Sequence, residues 1–270
     1  MTGVLPEIAA IRRVMNDAPP DAANEAAFRV AVVTPYRGES EALLTAAHES
    51  VRAQTFPCTH ILIADGSPAP FVSGWDAQHI ALPVHHGDVG DTPRAVGAIS
   101  AVGQGFDAIT FLDADNWYAP DHIDTMVALH RRTGAQVCVA ARALHRLDGS
   151  LLRPRGEYTD GIEHVDTNCL FLTSAAYRVV PLWGLIPKHL HLLGDRLIWS
   201  AVRALGYRVA RWTKPTVAYR TAFRVHYEEE GETPPPGAKD NAAIVEALRW
   251  WHELPEPDRA LVFRRLGLNL

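Results

Sequence analysis

Short β-branched and apolar runs alternate in the first half of the chain with longer stretches whose apolar residues recur at helical spacing. Arg-Val-Ala-Val-Val-Thr at 29–34 reads as a buried strand that stops at Pro35, with Gly38 just behind. From Glu39 to Gln54, Leu43, Leu44, Ala47 and Val51 share one face of a helix. A second apolar run, His60 to Ala64, ends in Asp65-Gly66-Ser67-Pro68, and a third, His79 to Val84, ends in His85-His86-Gly87-Asp88. Thr92-Pro93 reads as a cap plus a first-turn proline opening a helix to about Val102, and Ala108 to Leu112 is the next buried strand.

Strand and helix alternate with connections too long for hairpins. The expected fold class is therefore α/β: a Rossmann-like single domain with a mostly parallel central sheet, helices on both faces, and ligands bound outside the carboxyl ends of the strands. The second half adds a small antiparallel portion. Gln136–Leu147 and Leu151-Leu152 flank an Asp148-Gly149 turn, and Asn168–Leu172 is a further strand. A helix after Leu193 carries Leu197, Ile198, Val202 and Leu205 and stops at Gly206. At the start, Ile8, Ile11 and Met15 at helical spacing precede Ala18-Pro19-Pro20-Asp21. Beyond Pro234-Pro235-Pro236, Asp240 caps a stretch holding Ile244, Leu248, Trp251, Val262 and Leu266. The expected organisation is a helical appendage at 1–27, a main domain at 28–232 with halves 28–130 and 131–232, and a helical tail at 233–270. The terminal helices pack back on the body or pair subunits in a homo-oligomer.

A net charge of −5 supplies no basic field to hold a polyanion, so nucleic acid is not an expected partner. Cys58, Cys138 and Cys169 are odd in number, widely spaced and free of C-x-x-C pairs, which argues for a reducing compartment and against a disulfide framework or zinc knuckle. Glu7, Arg12, Arg13 and Asp17 interrupt any signal-peptide core, and no run approaches the ~20 apolar residues of a membrane span. The expected location is cytoplasmic, with any contact to the inner membrane surface peripheral.

Asp113-Ala114-Asp115 follows a buried strand directly, where such a sheet presents its ligand crevice. Carboxylates one residue apart on extended backbone point to opposite sides, so one can serve a ribose or metal-bound water while the other binds a hard cation. A divalent ion there can bridge the pyrophosphate of a nucleotide. The same pattern also serves as a plain Asx turn at a strand end.

The neighbouring residues decide between these. Thr34-Pro35-Tyr36, Glu49-Ser50-Val51-Arg52-Ala53-Gln54-Thr55-Phe56-Pro57, Asp65-Gly66-Ser67, Arg94 on a helix, and Phe111-Leu112-Asp113-Ala114-Asp115-Asn116-Trp117-Tyr118-Ala119-Pro120-Asp121-His122 occur in order. In this the chain resembles the family 2 glycosyltransferases of GT-A fold, closely from about Arg29 to His130 and more loosely to about Tyr227. The resemblance implies an inverting transferase that moves a sugar from a nucleoside-diphosphate sugar, a UDP-sugar favoured, to an unknown acceptor hydroxyl, with Mn²⁺ or Mg²⁺. By matching position it implies Pro35, Tyr36, Asp65 and Arg94 as donor-site residues, Asp113 near ribose or metal-bound water, and Asp115 on the metal. Two positions depart from the family pattern: Ala64 stands where a further aspartate is common, leaving base preference open, and the usual Glu-Asp at a helix start is Gly194-Asp195.

Asp195 is the candidate base for the acceptor hydroxyl, opening Asp195-Arg196-Leu197-Ile198-Trp199 as the family's base opens its helix; a first-turn aspartate is also favoured by the helix macrodipole alone. His226 stands about where relatives place a third metal ligand, and equally reads as a packed histidine. Asp166 and Asn168 suit sugar hydroxyls or capping at a strand entry, and Trp117 offers a flat face beside the metal motif. His85-His86 and His189/His191 read as loop residues. The acidic run Glu228-Glu229-Glu230-Gly231-Glu232 reads as solvated, or as a lid over the donor. Two other readings remain. A sugar-phosphate nucleotidylyltransferase would need a Gly-rich loop after the first strand, which Thr34-Pro35-Tyr36-Arg37-Gly38 matches poorly. A non-catalytic nucleotide-binding protein would have little reason to keep Asp65, Asp113, Asp115 and Asp195 together.

Overall fold

A computed structural model describes residues 28–157 and 164–266 of the chain; the helix expected around Ile8–Met15 lies outside them. The elements run β1 (Val30–Tyr36), α1 (Glu41–Arg52), β2 (Cys58–Asp65), β3 (Gln78–Leu82), α2 (Asp91–Gly103), β4 (Ala108–Phe111), β5 (Trp117–Tyr118), α3 (His122–Thr133), β6 (Val137–His145) and β7 (Leu151–Glu157). They continue with β8 (Leu170–Thr173), α4 (Gly194–Ala204), β9 (Val209–Arg220), α5 (Arg224–Glu229), α6 (Ala242–Glu253) and α7 (Glu256–Arg265), and 3₁₀ segments fill 167–169, 174–185 and 188–193.

Among the described residues these strands form one mixed sheet, ordered β3-β2-β1-β4-β8-β6-β9-β5 with β7 on β6. β1 pairs in parallel with β2 and β4, β2 with β3, and β6 with β9. β8 enters antiparallel between β4 and β6, and the expected β6–β7 hairpin forms, with Asp148 Oδ1 accepting from the Ser150 amide at 2.8 Å.

β1 runs on through Pro35, where the sequence suggested a stop. The Val33 carbonyl accepts from the Leu112 amide, so Pro35, two residues on, faces the same side, where β4 has already ended at Phe111. No ladder bond is lost to the missing N–H.

The two faces of β2 separate the helices. Leu62 and Ala64 pack with Leu44 of α1, whereas Val33 and Ile63 meet α2 at Gly97, where a Cβ would overlap both. α1 is capped by Ser40, whose side chain accepts from the Leu43 amide, and buries Leu44, Ala47, His48 and Val51. α2 begins earlier than the Thr92-Pro93 signal indicated: Gly90 is the cap residue and Asp88 Oδ2 accepts from the Thr92 amide at 2.9 Å.

Two second-half elements differ from expectation. The strand expected from Asn168 starts at Leu170, because residues 167–169 form a 3₁₀ turn capped by Asp166. β9 was not marked by any apolar run, since only Thr216, Val217 and Ala218 of its twelve residues are buried. The tail packs on the body of its own chain. Trp250 stacks on His189 with ring centroids 4.9 Å apart, and Ala247 and Leu266 join the main core. The cap residue of α6 is Asn241 rather than the expected Asp240, although Asp240 still accepts from the Ala242 amide. No helix among the described residues is long and apolar enough to cross a membrane.

Candidate active site

The carboxyl ends of β1, β2 and β4 carry the first group of candidates. Asp65 closes β2 and is buried, and Gly66 turns the chain with φ 79°. A Cβ on Gly66 would lie 2.5 Å from the His85 nitrogen, so only glycine allows the 85–86 loop this close. His85 and His86 each place Nδ1 2.7 Å from the Asp65 carboxylate, and the His86 amide also donates to it. Burial pushes the Asp65 carboxyl up, but the hydrogen bonds from His86 and His85 outweigh it and hold the carboxyl below its ordinary value. These loop histidines thus clamp the Asp65 carboxylate. Arg37 in turn contacts His85 Nε2.

Tyr36 turns its side chain inward. Its hydroxyl accepts from the Ala69 amide at 2.9 Å and lies 2.7 Å from His79 Nε2, within the cluster of Leu44, Leu62 and Val72. Pro35, one residue earlier, lies against Gly90 beside the Arg94 guanidinium.

Arg94 donates to Asp113 at 2.8 Å and reaches Asp91 at 3.5 Å. Asn168 holds Asp113 from behind. Its Nδ2 donates to Asp113 Oδ2 at 2.8 Å and Asp166 Oδ1 at 2.7 Å, while its Oδ1 accepts from the Asp113 amide at 2.6 Å. Asn168 is only 1% exposed, so both amide hydrogens are spent inside the protein and any influence on a sugar passes through Asp113 or Asp166. Asp166 pairs with Arg142, whose guanidinium lies 4.3 Å from the Tyr219 ring centre.

Asp115 is half-buried. Burial first, and then the charge of Asp113, pushes its carboxyl up to about 6. Its carbonyl accepts from Arg220 Nη1 at 2.7 Å, and the Arg220 guanidinium stands 4.8 Å over the Trp117 ring. A hard cation suits this donor set: two neighbouring carboxylate oxygen groups, one of them reluctant to ionise without a compensating positive charge. His226 does not join them. Its Nδ1 lies 2.6 Å from Thr221 Oγ1 and its ring meets Phe223 edge-on, and no three His, Cys, Asp or Glu residues cluster to hold a metal among the described residues.

A cavity of about 450 Å³ gathers the rest. Arg94, Asp113, Asp166 and Asp195 line it together, joined by Asp91, His191, Gly194, Tyr219, Phe223 and Lys239. Pro35, Tyr36, Asp65, Asp115, Trp117, Asn168 and His226 are not among its lining residues. Asp195, in the first turn of α4, accepts from the Arg196 amide at 2.7 Å and contacts His164 Nε2 through its other oxygen.

Asp91 and His191 were not singled out as site residues by sequence reasoning. Asp91 sits one residue before Thr92-Pro93, and in the fold its carboxylate lies 2.8 Å from His191 Nδ1. Burial pushes it up to about 6, opposed by Arg94 and His191. A Cβ on Gly194 would come within 3.0 Å of Asp91 Oδ1. The glycine that replaces the family's usual glutamate therefore leaves the room that a carboxylate from α2 fills. The acidic run of 228–232 is pinned as well: Arg153 donates to Glu229 and Glu230 at 2.6 Å each, and Arg146 pairs with Glu232.

Among solved structures, the chain is similar to residues 1–349 of S. aureus TarS in complex with UDP, at 14% identity and a TM-score of 0.56, over 88% of this chain and 70% of that one. It is similar to the same fragment in complex with UDP-GlcNAc at 12% identity and a TM-score of 0.52, over 88% and 71%. Against a longer S. aureus TarS chain the values are 13% and 0.56, over 88% and 43%. At such identities the likeness is one of fold. No curated protein matches the sequence. The family model described as Glycosyl transferase family 2 matches residues 31–185, more than half of the chain, and the protein accordingly belongs to that family and is a glycosyltransferase.

Proposed function

We propose that the protein transfers a sugar from a nucleoside-diphosphate sugar, UDP-sugars favoured, to an acceptor hydroxyl with inversion at the anomeric carbon. The observation that carries this reading is that one cavity wall joins Arg94 and Asp113 to Asp195. Family membership favours it over a nucleotidylyltransferase, and the UDP and UDP-GlcNAc complexes of the similar TarS fold support the choice of donor class.

In this reading Pro35 and Asp65 border the nucleoside, Tyr36 fixes the loop beside it, and Asp113, oriented by Arg94 and Asn168, meets the ribose or a metal-bound water. Asp115, beside Asp113, would hold Mn²⁺ or Mg²⁺, which when bound supplies charge neutralisation at the departing diphosphate. The acceptor oxygen attacks the anomeric carbon as the bond to the β-phosphate oxygen breaks. Its proton passes to the Asp195 carboxylate, which His164 and the Arg196 amide hold in place. Asp166 and Trp117 lie toward the sugar and the acceptor.

A thermal-shift panel of UDP-, GDP- and dTDP-sugars with and without Mn²⁺ tests the proposal. A donor at about a hundred times its dissociation constant should add about 2.7 kcal/mol of stability. No shift with any nucleotide in the presence of metal would sink it. A shift without nucleotide release in any acceptor extract would instead indicate a binding protein without turnover.

A further inference from the structure

We propose that Lys239, brought in by the C-terminal tail, completes the donor site by binding the diphosphate of the nucleotide. The inference rests on the donor reading above and starts from the charge of the cavity wall. Five aspartates line it: Asp91, Asp113, Asp166, Asp195 and Asp240. Against them stand Arg94 and Lys239, with His191. Arg94 is committed to Asp113 and Asp91, and His191 to Asp91. A nucleoside diphosphate entering this wall needs positive charge that is not already spent.

Lys239 meets that need. It is exposed, faces the cavity, and its ammonium forms no ion pair among the described residues; the group near it is the Phe223 ring, with the centroid 6.0 Å away. Its backbone, by contrast, is held on both sides. The Lys239 amide donates to the Ala222 carbonyl at 2.7 Å, and its own carbonyl accepts from the Arg224 amide at 2.8 Å, forming a parallel bridge with Phe223. Residues 222–224 follow the end of β9, where Arg220 grips the Asp115 carbonyl. The tail is thereby stitched next to the Asp113–Asp115 segment, with a flexible cationic side chain directed into the cavity. Lysine acts on phosphate as a mobile point charge, which suits a group that must release its product. Lys239 lies well beyond the residues matched by the family model, so this cation is a property of the chain's own tail.

Calorimetry on the full chain in Mn²⁺ tests the proposal with UDP, GDP and dTDP, each paired with its nucleoside at millimolar concentration. Lys239→Met should weaken the bound diphosphate about tenfold, a difference of about 1.4 kcal/mol, and leave the matching nucleoside unchanged. Lys239→Arg should restore most of the loss. Unchanged diphosphate affinity in Lys239→Met overturns the proposal, as does an equal loss for diphosphate and nucleoside, which would mean that the tail only shapes the pocket. A wild-type chain that binds no nucleoside diphosphate overturns the donor reading itself, and the two failures are thus told apart.

Discussion

The two walls of the cavity are built on different principles. On the wall at the end of β4, Asp113 is gripped by side chains from other elements, Arg94 and Asn168, much as Asp65, outside the cavity lining, is gripped by His85 and His86. On the wall formed by α4 and the tail, Asp195 is held by His164 and its neighbour's amide, and Lys239 is anchored through its backbone alone. The first wall suits groups that must already be in position when charge develops, which is how fixed dipoles lower a barrier without reorganising. The second would suit the proposed proton acceptor and diphosphate-binding cation, which in those roles would have to change partner.

Four measurements would break or sharpen that contrast, in descending order of effect. Asp195→Asn should lower kcat by about 10²–10⁴-fold, the usual contribution of a general base, while nucleotide affinity by calorimetry stays as in the wild type. An unchanged transfer rate would remove Asp195 as base and leave the wall of α4 and the tail without its proposed chemistry. Asp115→Asn should erase the metal-dependent part of nucleotide stabilisation, up to about 2.7 kcal/mol at about a hundred times the dissociation constant; stabilisation that persists with Mn²⁺ would move the cation elsewhere.

The third test concerns Asp91, which links the two walls. Its carboxyl is pushed up to about 6 in the fold, against ~3.9 in an unfolded chain. A raised carboxyl binds its proton more tightly when folded, so its contribution is fully present below about pH 4 and is lost as pH rises through about 6. Urea unfolding of wild type and Asp91→Asn should therefore diverge over that window, the wild type losing about 2 kcal/mol relative to the variant. Parallel pH profiles would show that Asp91 keeps its ordinary affinity. The smallest effect is expected for Gly194→Ala. It brings a methyl against the Asp91 carboxylate and should cost roughly 1 kcal/mol, read as a lower urea midpoint; no change would show that the junction of α2 and α4 has slack.

Much of the region at the carboxyl ends of the parallel strands was legible from local pattern. The β-branched runs, the Asp-Gly-Ser turn and the Asp-Ala-Asp pair are each read within about ten residues, and β2 ends at its turn residues while β3 stops two residues short of Val84. Pro35 is an exception, and its reason is not local: whether proline ends a strand depends on how far the neighbouring strand extends. The helix that carries Asp195 was legible because its apolar residues keep to one face. β9 was not, because a strand with three buried residues in twelve leaves no apolar run. His226 has the expected position in the order of motifs, and in space its Nδ1 meets Thr221.

By itself the sequence determined the α/β class, the family, the carboxylates at the strand ends and the helix that carries Asp195. Tertiary structure alone decided that His85 and His86 would clamp Asp65, that Asn168 would stand behind Asp113, and that Asp91 would fill the space beside Gly194. It also decided that a lysine of the tail would face the same cavity. The physical reason is range. Hydrophobic period and turn chemistry act over a few residues, whereas His191 and Asp91 lie 100 positions apart, and the non-sequential order β4-β8-β6-β9 sets which distant side chains share a wall.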